Sequence, residues 1–280
     1  MYFKKLEDKC LYYRSLTDYK IMPNTPIIAM LDGRAFSQLV KHKFKLPFDE
    51  AFINMMNKTA QALCQQIQGC KLAYVQSDEI SLLITDFDTP NSDTFFGGRL
   101  CKMQSILASI ATAEFNRQLL LYEVFDKTEN WSGVQFADLA DKISKQKLAQ
   151  FDCKVWPVPN GNDAFAWFLY RQIDCIRNSK QQTAQTYLPH KTLMNHDANE
   201  QIEMLKERNG IDWNGFDPSL KYGRFIYKEL KDMETETTVR GQKQIVKYQR
   251  NVWEPHPAFP LSEEGGKEKF YEIVPVLAEC

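Results

Sequence analysis

The sequence predicts an α+β fold, an antiparallel sheet with helices on one face and a C-terminal helical and hairpin appendage. Three observations carry this expectation. The run Ile27 to Leu31 is too apolar for a half-exposed strand and too short for a helix. Leu72 to Ile84 is rich in β-formers but is broken by the polar string Gln76-Ser77-Asp78-Glu79, which reads as strand, tight turn, strand. Around these segments apolar residues step by three and four, so the order is strand, helix, hairpin, helix, strand.

Composition sets the bounds. The chain has 280 residues, and its 44% hydrophobic content supplies a sizeable core, which excludes a disordered or low-complexity chain. Thirty-five Lys and Arg against 36 Asp and Glu give a net charge of -1, so any nucleic-acid contact must be local. The longest apolar run, Ala164 to Tyr170, falls well short of the roughly 20 residues that cross a bilayer. The charged start MYFKKLEDKC does not resemble a secretory signal, so the expected location is the cytoplasm. Seven scattered cysteines lack any CxxC pair, which argues against structural zinc and a disulfide framework.

Taken in order, the central strand ends at Asp32. Asp49 is placed to cap a helix whose apolar face runs through Ala51, Phe52, Met55, Met56, Thr59, Leu63 and Ile67 and which closes at Gly69. A second amphipathic helix follows Leu100 to about Leu121, with Arg99 and Lys102 on its solvent side. The charged stretch 126–150 reads as a connection, before a short strand between Asp152 and Pro159 and a helix from Ala164 to about Tyr187. Residues 1–188 are expected to form the catalytic domain and 189–280 the appendage packed on it. The appendage would hold a helix from Ala198 to Arg208 and a hairpin around Gly241-Gln242 that carries Arg240, Lys243, Lys247 and Arg250.

The chemistry concentrates at strand ends. A carboxylate beside an apolar strand is costly unless it is paired or bound to a cation. Asp32-Gly33-Arg34 and Ser77-Asp78-Glu79 place carboxylates at two such ends, and Mg²⁺ takes hard oxygen ligands, usually one or two carboxylates with water and phosphate oxygens. Two such ions serve phosphoryl and nucleotidyl transfer. Each segment taken alone is also ordinary turn chemistry.

The ordered motifs MLDGRAFSQLVKHKFKLPFDEAF, YVQSDEISLL, GGRLCKMQSILAS, FDCKVWPVP and WFLYRQIDCIRNS resemble those of the tRNA-His guanylyltransferase family over roughly residues 25 to 230. The resemblance implies a polymerase-palm-like (ferredoxin-like) domain that adds nucleotides in the 3'-to-5' direction to the 5' end of tRNA. An NTP activates the 5' phosphate, and the 3'-hydroxyl of an incoming NTP then attacks it. The resemblance also implies Mg²⁺ as two ions, ATP, GTP and other NTPs as substrates, tRNA as partner and a homotetramer. By position it makes Asp32, Asp78 and Glu79 catalytic and Asp32, Gly33 and Asp78 metal ligands. It places the nucleotide against Asp32, Gly33, Arg34, Ala35, Phe36, Ser37, Lys45, Ser77, Asp78, Arg99, Lys102 and Asn178.

Several positions depart from the family pattern. Ser37 stands where many relatives carry His, the Lys45 position is moved by one residue, and Lys154 replaces an arginine and so loses the bidentate fork. The His-Ile-Asn-Asn-Leu-Tyr-Asn-Thr stretch of the eukaryotic enzymes is absent at Asp174 to Gln182. This makes the chain resemble the bacterial and archaeal branch that repairs truncated tRNA 5' ends on a template. Rival readings are a non-catalytic RNA-binding palm protein and a nucleotide cyclase. Lys41-His42-Lys43-Phe44-Lys45 and the basic hairpin, with Tyr248 and Trp253 for stacking, are the expected RNA contacts.

Overall fold

The structure, a computed structural model, describes residues 5–89, 91–123, 141, 144–145, 147–239 and 242–278. An N-terminal helix α1 (Leu6–Ser15) leads into β1 (Ile27–Gly33), a short helix α2 (Phe36–Lys43), and α3 (Glu50–Gln66). The hairpin β2 (Cys70–Gln76) and β3 (Glu79–Ile84) follows, then α4 (Leu100–Leu121), β4 (Phe151–Pro157) and the long α5 (Gly161–Tyr187). The remaining chain holds α6 (His190–Leu193), α7 (Ala198–Asn209), α8 (Pro218–Tyr222), the long strands β5 (Arg224–Val239) and β6 (Gln242–Pro257), and α9 (Gly266–Ile273). The connection expected over 126–150 lies largely outside the described residues.

Local signals account for the elements that frame the site. Asp49 caps α3 by accepting from the Ala51 and Phe52 N–H groups at 2.9 and 3.1 Å. Beyond its C-terminus Gly69 takes φ +78°, and a Cβ there would sit 2.1 Å from the Thr85 carbonyl oxygen, so only glycine fits. The β2–β3 turn has two residues, Ser77 and Asp78, with Ser77 at φ +45°. α2 lacks a side-chain cap and follows Ala35 in the left-handed region, which is why no start signal marks it in the sequence.

All strand pairs are antiparallel, in the order β4-β1-β3-β2-β5-β6. β1 is therefore interior, and its side chains alternate between two cores. Ile27, Ala29 and Leu31 pack with Met56, Leu63, Leu107 and Phe115 of α3 and α4. Ile28 joins Leu72, Tyr74 and Leu83 against Ala164, Phe165 and Phe168 of α5 and Phe270 of α9. The sequence pointed to helices on one face; they cover both. A strand covered on both faces shows an unbroken apolar run, which is the pattern of Ile27 to Leu31.

The C-terminal hairpin also differs from its expected place. The base of β5 pairs with β2, Ile226 opposite Ala73 and Phe225 opposite Tyr74, so the sheet and both cores run across the expected boundary at 188. Beyond the base, Lys243 and Lys247 of β6 pair with Glu236 and Glu234 of β5 at 2.7 and 2.8 Å, so two of the four cations expected to meet RNA have carboxylate partners within the hairpin. Trp253 is buried in the first core with Lys228 over its ring, so it offers no stacking face, whereas Tyr248 is exposed. Arg240 and Gly241 lie outside the described residues. A third, smaller core joins Leu188, Leu193, Leu205 and Trp213 to the end of α5.

Candidate active site

β1, the β2–β3 turn, β4 and β5 bring their functional residues to one end of the sheet. Register places Asp32 opposite Glu79 on one side and Asp152 on the other, and the Gly33 N–H donates to the Asp78 carbonyl at 3.1 Å. The chain can turn tightly into α2 here because Gly33 carries no side chain. A Cβ at Gly33 would lie 2.5 Å from the Phe36 ring, which is locked against Phe115 and Phe151 at centroid distances of 5.0 Å. The apolar wedge beneath α2 thus fixes the position of the Asp32 carboxylate above it.

A cleft of about 630 Å³ opens at this end. Asp32, Phe36, Ser37, Lys45, Ser77, Asp78, Glu79 and Asn178 all line it. Its far wall is formed by Arg171, Asp174 and amide side chains of α5, together with Ser219, Gly223 and Arg224. Other expected residues lie elsewhere. Ala35 does not line the cleft, and Arg34 lines a neighbouring groove of about 390 Å³, where its Nη1 donates to Gln150 Oε1 at 3.2 Å. Arg99 pairs with Asp18 at 3.0 Å, and Lys102 sits 4.4 Å from the centre of the Phe96 ring; neither lines the cleft.

The carboxylates differ in how they are neutralised. Arg171 Nε donates to Glu79 Oε1 at 2.7 Å and its Nη2 to Oε2 at 2.6 Å, a bidentate pair that occupies both oxygens of Glu79; the same Nη2 reaches Asp174 at 2.9 Å. Burial still pushes the Glu79 carboxyl up, more than the Arg171 bonds pull it down. Asp32 and Asp78 make no ion pair among the described residues. Burial, then the neighbouring Asp152, raises Asp32. Burial, with a contribution from Asp32, pushes Asp78 up to about 6. Two crowded carboxylates without a cation form a site that a divalent cation would relieve.

The donor set is suited to such a cation. Two carboxylates and the adjoining backbone oxygens are hard ligands, and no cluster of three or more His, Cys, Asp or Glu able to hold a metal occurs among the described residues. That is too few ligands for a closed protein cage but matches the way Mg²⁺ keeps waters and borrows phosphate oxygens. Arg171 and Arg224 were not singled out in the sequence. Their partners Glu79 and Asn57 lie 92 and 167 residues away, so no local spacing shows them.

The sheet, the two cores and the paired aspartates can be set against known proteins. The family model for tRNAHis guanylyltransferase matches residues 2–159, more than half of the chain. An uncharacterized protein of Acanthamoeba polyphaga mimivirus is 26% identical over 80% of this chain and 77% of its own length. The tRNA(His) guanylyltransferase of Debaryomyces hansenii is 26% identical over 82% of this chain and 84% of its own. Among solved structures, a bacterial tRNA(His) guanylyltransferase-like protein in complex with ATP superimposes with a TM-score of 0.76 at 27% identity, covering 96% of this chain and 99% of that one. A complex of such a bacterial protein with GTP gives 0.71 at 26% identity. The chain is thus a nucleotidyltransferase, a member of the tRNAHis guanylyltransferase family.

Proposed function

We propose that this chain adds nucleotides in the 3'-to-5' direction to the 5' end of a tRNA, with a base-paired template selecting the nucleotide. The observation that carries the reading is the pair Asp32 and Asp78, half-buried side by side and without an ion pair among the described residues, lining a cleft of about 630 Å³. The similar bacterial proteins solved with ATP and with GTP support a nucleotide as the occupant of such a cleft.

Asp32 and Asp78, with the Gly33 carbonyl, would hold two Mg²⁺ ions. When bound, the ions supply charge neutralisation for the phosphates and a lowered pKa for an attacking hydroxyl. The chain's own residues do the rest. Glu79 is held by Arg171 and keeps the turn that bears Asp78 in register with β1. The first N–H groups of α2, at Phe36 and Ser37, open the helix next to Asp32, the end of a helix that favours phosphate. Lys41 and Lys45 give the rim of the cleft positive charge. The 5' phosphate of the RNA first attacks the α-phosphorus of ATP or GTP and releases pyrophosphate. The 3'-hydroxyl of the incoming NTP then attacks the activated phosphate, and the activating nucleotide leaves as its monophosphate.

Incorporation of α-labelled NTPs into two tRNAs tests the reading, one lacking its first 5' nucleotide opposite a paired 3' partner, the other an intact tRNA-His lacking the extra G. Template-matched incorporation into the truncated tRNA is expected. G addition confined to tRNA-His would instead make the chain a guanylyltransferase in the narrow sense. A cyclic product from GTP alone would make it a cyclase, and no product with retained RNA binding would make it a non-catalytic palm protein. A homotetramer in the cytoplasm completes the proposal. The outward-facing Leu6, Leu11, Leu16 and Met22 around α1 support the assembly, and sedimentation of the purified chain tests it.

A further inference from the structure

Arg224 is the buried charge that the proposed reaction leaves unexplained. It opens β5 opposite Val75 and lines the inner wall of the cleft beside Ser219, Leu220 and Gly223. It is only 6% exposed. Its Nε donates to Asn57 Oδ1 at 2.8 Å and its Nη1 to the Ser219 carbonyl at 3.4 Å. Both acceptors are neutral, and no carboxylate among the described residues pairs with it. Its Nη2 donates to no described residue.

The contrast with Arg171 carries the inference. That guanidinium is also buried, but Glu79 and Asp174 neutralise it. A buried cation without a counter-charge is costly, and two residues along the same face of β5 the chain places Ile226 in the core. The two neutral acceptors hold the guanidinium plane in place and leave the rest of the fork free toward the cleft. A planar fork of N–H donors matches the paired oxygens of a phosphate. We propose that Arg224 is a phosphate contact of the cleft, meeting either the triphosphate of the nucleotide or the phosphate at the RNA 5' end. The inference rests on the nucleotidyl-transfer reading for what enters the cleft and adds a residue to it.

Two full-length variants test it in Mg²⁺ buffer. Arg224→Met removes the charge and keeps the volume. Asn57→Asp keeps the arginine but sets a carboxylate against it, which preserves the fold and neutralises the fork. One arm measures the affinity for ATP relative to adenosine, without RNA. The other measures 5'-phosphorylated tRNA relative to the same tRNA ending in a 5'-hydroxyl, without nucleotide. We expect the phosphate preference in at least one arm to fall at least tenfold in both variants, and the arm that falls identifies the source of the phosphate. Thermal melting separates this from a structural role, because removing an unpaired charge should leave Arg224→Met as stable as the wild type. Wild-type preferences kept within twofold in both folded variants would overturn the proposal alone. A wild type with no phosphate preference in either arm would overturn it together with the proposed function.

Discussion

Asp78 sits where its own charge works against the metal-free fold. Its carboxyl is pushed from 3.8 to about 6, chiefly by burial, so the folded protein binds that proton more tightly than the unfolded chain. Below about pH 4 both states are protonated and the group contributes nothing. Stability then falls as the pH rises through the interval up to about 6, beyond which the full penalty of about 3 kcal/mol is present. Asp78→Asn should therefore raise the melting temperature in EDTA at about pH 8, and the advantage should vanish near pH 4. Thermal melts across that range check it; an advantage that is constant with pH would show that burial of the charge is not the cause. Glu79 differs in being paired with Arg171, although burial still raises its carboxyl above the usual range. Arg171→Met strands a buried carboxylate and should cost about 3 to 5 kcal/mol in urea unfolding, most of which the double variant with Glu79→Gln should restore. An equal loss in the double variant would assign the cost to packing of the arginine stem instead.

At the scale of elements, the hairpin of β5 and β6 divides into two parts with different physics. Its base carries Ile226, fully buried beside Trp253 in the first core, whereas its outer part carries exposed ion pairs. Ile226→Ala should cost about 2 to 5 kcal/mol. Lys247→Ala should cost less than about 1 kcal/mol, since exposed pairs contribute little. Denaturant midpoints of the two variants check the division, and equal, small effects would return the hairpin to an independent appendage. This division was not legible in the sequence, where both arms look alike, because it is set by the pairing of β5 with β2 across some 150 residues. The segments that were legible carry their own instructions. Asp49 and Gly69 bracket α3, Gly210 stops α7, and the polar string Gln76 to Glu79 turns β2 into β3.

For the molecule as a whole, the interior placement of β1 joins fold to chemistry. Pairing on both edges and cores on both faces hold Asp32 at one end of the sheet, with Asp78 delivered by the adjacent turn. The two aspartates were legible because each ends an apolar β run. On the opposite wall Asn178 was expected, but Arg171 and Arg224 were not, since they gain their meaning only from partners distant in sequence. Nor was the separation of Arg99 and Lys102 from the cleft, since a basic pair on one helical face reads the same whether or not it faces a site. In the proposed reaction Asp32 and Asp78 together form the catalytic centre. Its most direct test is the rate of labelled NTP incorporation into a 5'-truncated tRNA in Mg²⁺ by the wild type, Asp32→Asn and Asp78→Asn, each shown to be folded by its melting curve. Template-matched incorporation by the wild type is expected, with a loss of at least about a hundredfold in either variant. Wild-type rates in a folded variant would contradict it.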